Sequence, residues 1–231
     1  MDRFEAHTHQ ADSGLSLPYR LLRPAKPGKG QVYPLILFLH GAGERGNDNI
    51  AHLAFGLPLL AREDNMRPHP CFVVAPQCPA DDKWADVEWG DERNDFPGHP
   101  TPALGAALEL VESLADELPV DRRRIYVTGL SMGGYGTWDA ATRRPDLFAA
   151  AVPICGGGCE PQARRLAAMP VWAFHGALDS SVKPSRSRNM IAALRAAGGA
   201  PRYTEFPEAK HDSWTPAYSN PELYDWLFEQ R

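Results

Sequence analysis

Short runs that are apolar almost throughout constrain this chain more than any other feature: PLILFLH, CFVVAPQ, RIYVTG, FAAAVPI, PVWAFHG and PRYTEFP recur along it. A strand solvated on one face alternates apolar and polar residues, whereas unbroken runs belong to strands covered on both faces. The covering elements lie between the runs. Leu104, Ala107, Leu108, Val111, Leu114, Ala115 and Leu118 are spaced by three or four and make one apolar helical stripe. Further helices are predicted over Gly133 to Arg144, stopped by Pro145, over Ser185 to Ala197, with Ser185 as cap and Gly198 and Gly199 as terminator, and over Pro221 to Gln230. Strand and helix alternate from about residue 34 onward, which predicts an α/β fold: a doubly wound, mainly parallel sheet flanked by helices. The opening stretch FEAHTHQADSGLSLPYRLLRP reads instead as two strands turning at Asp12 to Gly14, an antiparallel N-terminal edge.

With 231 residues and 43% hydrophobic residues, the chain is long enough to bury a substantial core as one domain, residues 1–231. The net charge of −5 and the short, scattered arginine clusters exclude a basic stripe for nucleic acid or a polybasic membrane patch. No apolar run approaches the roughly 18 residues of a membrane span. The N-terminal MDRFEAHTHQADSG lacks the apolar centre of a secretory signal, so the expected location is the cytoplasm. Cys71, Cys78, Cys155 and Cys159 lack the paired spacing of a zinc site and are too few for a disulfide scaffold. They are expected as reduced thiols, and Cys71 and Cys78 would stand roughly 20 Å apart at the two ends of one strand, at about 3.3 Å per residue. Neither a metal nor another cofactor is expected.

One segment breaks the rhythm. Ala80 to Thr101 is long, acidic and carries Trp84, Trp89 and Phe96. Two readings stand: an excursion whose tryptophans pack on the body, or a wall of a binding cleft at the carboxyl end of the CFVVAPQ strand, where open α/β sheets place their ligands.

Chemistry concentrates at IYVTGLSMGGYGTW, Ile125 to Trp138. Gly129-Leu130-Ser131-Met132-Gly133 fits G-x-S-x-G directly after a predicted strand and before a predicted helix, the context in which that pattern exposes a nucleophile. A strand reversing sharply into a helix strains its central residue, so the residues two positions away must be small. A serine hydroxyl needs a base, and the base needs an orienting acid; here the chain order is Ser, acid, His. After Ser131 come only His175 and His211, and His175 precedes Asp179, the one acid a few residues beyond a strongly apolar strand. Elimination therefore yields Ser131 as nucleophile, Asp179 as acid and His211 as base. The developing oxyanion needs backbone donors. Met132 N–H supplies one, and the second comes from the glycine-rich His40-Gly41-Ala42-Gly43-Glu44, from Ala42 or alternatively Gly43. His40 is read as a brace for this loop.

Together LFLHGAGERGNDN, VVAPQCP, IYVTGLSMGGYGTW, VWAFHGALD and KHDSW resemble the α/β-hydrolase superfamily, in its bacterial phospholipase/carboxylesterase-like branch, also called prolyl-oligopeptidase-like or dienelactone-hydrolase-like. The resemblance runs from about Tyr33 to Arg231 and implies the same Ser131, Asp179, His211 triad. Dienelactone hydrolases themselves use cysteine where this chain has Ser131. Only Cys155 to Pro170 separates FAAAVPI from PVWAFHG, so the large lid that many lipases insert there is missing and an open cleft is implied.

The leading functional reading is a serine carboxylesterase acting on small or solvent-exposed esters, with a small-molecule ester as its partner and no expectation about oligomeric state. The same machinery on feruloyl or acetyl groups of polysaccharide, or on a peptide bond, is the alternative; a catalytically silent binding module is the non-enzymatic one. Trp84, Trp89 and Trp214 are candidates for a sugar- or aryl-stacking wall, with buried packing the competing role for each. Glu44 is a candidate for orienting a polar substrate or for bracing its loop.

Overall fold

Why the unbroken runs must be covered on both sides is plain in the sheet they form. The computed structural model describes residues 3–25 and 28–231. Eight strands lie in the order β1-β2-β4-β3-β5-β6-β7-β8: β1 Phe4–Gln10, β2 Ser16–Leu22, β3 Tyr33–Leu39, β4 Phe72–Pro76, β5 Val120–Leu130, β6 Ala150–Ile154, β7 Trp172–Gly176 and β8 Arg202–Phe206. From β4 to β8 all neighbours are parallel. The β1–β2 hairpin pairs antiparallel within itself and onto β4, the expected N-terminal edge. Its turn closes through Gly14 at φ 86°, with Gly14 N–H donating to Ala11 O at 2.8 Å.

The helices are α1 Leu57–Leu60, α2 Glu63–Met66, α3 Pro102–Glu117, α4 Met132–Arg143, α5 Ser185–Ala196, α6 Trp214–Tyr218 and α7 Pro221–Glu229. Every residue of β3 is buried, and its side chains divide between two cores. Leu35, Leu37 and Leu39 pack with α3, α4 and α5, while Ile36 and Phe38 pack with α1, α6 and α7. That division is the period-two geometry of a strand sandwiched between helical layers.

Three local expectations change. The crossover from β3 to β4 carries only the short α1 and α2 as α-helix, with Gly56 at φ 27° just before α1 and Pro68 just after α2. Ser185 does not cap α5: Pro184 already has helical φ −57° and ψ −24°, so Ser185 lies inside the first turn. Strand β5 begins earlier than RIYVTG, with a register shift between its pairings to Tyr33 and Leu35. The end of α5 is as read, with Gly198 at φ 89° and Gly199 N–H donating to Leu194 O at 2.9 Å. All four cysteines are free. Among the described residues, no helix is long and apolar enough to cross a membrane.

Candidate active site

At the carboxyl end of β5 the chain turns into α4 through Ser131, at φ 55° and ψ −118°. Glycines make this turn sterically accessible. A Cβ at Gly129 would fall 2.5 Å from Leu39 O, one at Gly133 1.9 Å from the same oxygen, and one at Gly134 2.2 Å from Ile154 O. Backbone from three strands and a helix therefore crowds into the space a methyl group would need. Ser131 N–H donates to Ile154 O at 3.0 Å, which fixes the turn against β6.

Two loops converge on the serine. Asp179 follows β7, and its side chain is fully buried. Its Oδ1 accepts N–H bonds from Ser181 at 2.8 Å and Val182 at 2.9 Å. His211 follows β8, and its loop lies directly over the end of β7, because Gly176 has no side chain there: a Cβ would fall 2.0 Å from Lys210 O. Leu178 N–H donates to Ala209 O at 3.0 Å and stitches the two loops together. His211 Nδ1 lies 2.7 Å from Asp179 Oδ2, and its Nε2 lies 2.9 Å from Ser131 Oγ. Asp179 accepts only, so Nδ1 carries the proton and Nε2 is free to accept from the serine hydroxyl. Burial alone would raise the Asp179 pKa, but the His175 and His211 imidazoles and the Val182 N–H outweigh it and hold the carboxyl far below the usual range.

His175, set aside as a base by chain order, supports the acid. It is fully buried, with Nε2 3.0 Å from Val182 O and 3.4 Å from Asp179 Oδ2. Both neighbours accept only, so Nε2 carries the proton and Nδ1 accepts from Ser187 Oγ at 2.7 Å. This partnership escaped the sequence reading because a histidine inside an apolar strand shows no spacing that links it to the acid.

The loop after β3 lies against the serine: a Cβ at Gly41 would stand 3.7 Å from Ser131 Cβ. Ala42 opens a 3-10 turn, Ala42–Glu44, and Met132 opens α4. Each therefore has a backbone N–H without an acceptor inside its own helix, and the dipole of α4 favours negative charge at the same place. His40 is the brace expected: Nδ1 donates to Gly41 O at 2.6 Å, which leaves Nε2 to accept from Cys78 N–H at 2.9 Å. Desolvation lowers the His40 pKa to about 3, so the ring stays neutral. Glu44 is buried beside Gly41, which raises its pKa.

A depression of about 360 Å³ opens beside the serine, lined by Gly41, Ala42, Gly43, Glu44, Phe55, Leu130, Ser131, His211 and Trp214. Trp214 and Glu44 thus lie in that lining. Trp84 does not: it is 0% exposed, and its indole N–H donates to His40 O at 3.1 Å, so it props the loop after β3 from beneath. Trp89 is also outside that lining; it packs with Ala85, Val87 and Tyr135, under the guanidinium of Arg45. The Ala80 to Thr101 segment therefore packs its tryptophans on the body, since its apolar side chains find more contact there than over solvent. Phe55 was missed, because a lone aromatic in a loop carries no periodic signal. Cys155 Sγ, an Asp179 carboxylate oxygen and a His211 ring nitrogen lie within 4.8 Å of one another. Burial pushes the Cys155 thiol up to about 12, which keeps it protonated and a poor nucleophile.

A mainly parallel sheet that lifts a strained serine from β5 to meet a histidine after β8 and an acid after β7 defines an α/β-hydrolase. Within that class the chain belongs to the dienelactone hydrolase family, whose sequence pattern matches residues 99–220, more than half of its length. A poly(3-hydroxyalkanoate) depolymerase C of Paucimonas lemoignei is 33% identical over 132 residues, 54% of this chain and 28% of the depolymerase. The solved structure of a thermostable esterase is 43% identical with a TM-score of 0.91, covering 99% of this chain and 63% of that one. The chain thus spans less than two thirds of either relative. A ferulic acid esterase, 19% identical with a TM-score of 0.67, covers 97% of this chain and 96% of its own, and shares the fold.

Proposed function

We propose that the protein is a serine carboxylesterase in which Ser131, His211 and Asp179 form the triad. The observation that carries this reading is the continuous chain from Ser131 Oγ through both nitrogens of His211 to Asp179 Oδ2, at 2.9 and 2.7 Å. Ser131 Oγ attacks the ester carbonyl while His211 Nε2 takes its proton. Asp179 keeps the imidazole in the required tautomer and stabilises the imidazolium. The oxyanion is received by the N–H groups of Met132 and Ala42, with Gly43 as the alternative second donor. Collapse returns the proton from His211 to the departing alcohol and leaves an acyl-enzyme. Water, deprotonated by His211, then releases the acid and restores Ser131.

The open depression supports small or solvent-exposed esters, and the likeness to the depolymerase and the thermostable esterase supports ester over amide chemistry. A polyester surface is the second reading, favoured by the depolymerase likeness and by the absence of an inserted lid between β6 and β7. Hydrolysis of p-nitrophenyl acetate and butyrate, with a short hydroxyalkanoate oligomer beside them, tests both. Ser131→Ala is expected to lower kcat by about 10³-fold or more; equal turnover by wild type and Ser131→Ala would overturn the proposal.

A further inference from the structure

Phe55 violates two preferences at once. The residue is 57% exposed, and its backbone has φ 40°, a conformation bulky residues adopt only where the surroundings impose it. The imposing contact is at Gly56, φ 27°, where a Cβ would fall 2.7 Å from Leu130 Cδ2 and 2.8 Å from Tyr218 Cε2. The chain is pressed onto the floor of the depression beside Ser131, and residue 55 is turned away from the core. A polar residue that tolerates this backbone would suit such a place better for stability alone.

What the phenyl ring does there is make contact along the rim. Phe55 meets Trp214 edge to face, with centroids 6.2 Å apart and planes at 71°. Trp214 meets His211 in the same manner, at 5.4 Å and 90°. Three rings thus run in series from the base along the lining of the depression, with Leu130 and Ala42 beside them. Resting on the esterase reading, we infer that Phe55 and Trp214 form a subsite for an aromatic group carried on the alcohol side of the ester. The leaving oxygen must come within hydrogen-bond reach of His211 Nε2 to receive its proton, so its substituent is the part of the substrate nearest Trp214. A planar ring gains there both apolar burial and the offset or edge contacts that aromatic pairs favour.

The test compares benzyl acetate with ethyl acetate, which share the acyl group, in wild type, Phe55→Asn and Phe55→Leu. Asparagine tolerates positive φ, and leucine keeps apolar area without a ring. The benzyl-to-ethyl ratio of kcat/KM is expected to fall about ten-fold in Phe55→Asn, through KM, and by a smaller factor in Phe55→Leu. The ratio of ethyl phenylacetate to ethyl acetate, which moves the ring to the acyl side, is expected to change less than about two-fold. Thermal unfolding of Phe55→Asn is expected no lower than wild type, since the ring lies outside the core and asparagine tolerates the strained backbone. An unchanged benzyl-to-ethyl ratio, a change confined to ethyl phenylacetate, or a marked loss of Tm overturns the subsite while an active wild type leaves the esterase reading standing. Wild type no better than Ser131→Ala on every ester overturns the esterase reading, and the subsite with it.

Discussion

His175 Nε2 lies 3.4 Å from Asp179 Oδ2, the same oxygen that His211 Nδ1 reaches at 2.7 Å. One carboxylate oxygen is thus shared by a buried imidazole held from behind by Ser187 and by the half-buried imidazole that faces the serine. A hydrogen bond to a charged group is worth about 1.5–3 kcal/mol, so removing His175 weakens the orientation of His211 without touching substrate. His175→Phe is expected to lower kcat about ten-fold with KM little changed. It is also expected to move the acidic loss of activity to higher pH, because Asp179 loses one of the two imidazoles that keep its carboxyl ionised. A profile and kcat identical to wild type would show that His175 only fills space.

Gly176 offers a sharper test of how the loops are registered. A Cβ there would lie 2.0 Å from Lys210 O, whereas one at Gly43 has nothing within 4 Å. Gly176→Ala is expected to displace the His211 loop and lower kcat at least about 100-fold, a 1 Å misplacement being enough for that. Gly43→Ala is expected to stay within about 0.5 kcal/mol of wild type in urea unfolding. Measured side by side, the two substitutions separate close backbone approach from a general aversion to side chains near the site.

Trp84 belongs to the framework. Because it is fully buried and its indole N–H bonds to His40 O at 3.1 Å, Trp84→Ala is expected to cost about 3–5 kcal/mol by denaturant unfolding. Trp84→Phe, which loses chiefly that hydrogen bond, is expected to cost about 1–2 kcal/mol while leaving the ratio of benzyl to ethyl ester turnover alone. A change in that ratio would return Trp84 to the binding wall.

Acid should unfold the protein earlier than its carboxylates require. Desolvation lowers the pKa of His40 to about 3 and of His52 to about 4, so the unfolded chain binds protons that the folded chain refuses. Stability is complete above the ordinary histidine value, roughly 6.5, and falls as pH drops from there toward each folded value. Asp179, with its pKa depressed, adds a loss in the same direction once the pH falls below about 4. Over its window His40 accounts for a loss of up to about 5 kcal/mol and His52 for up to about 3 kcal/mol. His52→Leu is expected to flatten the decline of Tm between pH 6.5 and 4 relative to wild type, as scanning calorimetry at stepped pH would read; an equal slope would place the loss elsewhere.

Much of the candidate site was legible because its arrangement depends on order and sterics. The glycines at 129 and 133 mark a turn that no other residue could make, and elimination among acids and histidines after Ser131 left Asp179 and His211. His175 and Phe55 were not legible, since their importance lies in what packs beside them. Which of their two roles Trp84 and Trp89 take was left open for the same reason. Composition shows that Trp84 and Trp89 sit in a long acidic loop, but a loop's side chains face the body or the cleft according to the space the helices leave.

By itself the sequence determined the layered parallel sheet, its antiparallel edge, and which serine, acid and histidine share an end of it, because apolar periodicity and glycine sterics act locally along the chain. Only the tertiary structure decided that Trp84 lies beneath His40, that His175 backs Asp179, and that Gly56 presses against Leu130 and Tyr218 with Phe55 in the same depression as the serine. Those relationships join residues distant in sequence, and their energies exist only once the packed elements fix the distances between them.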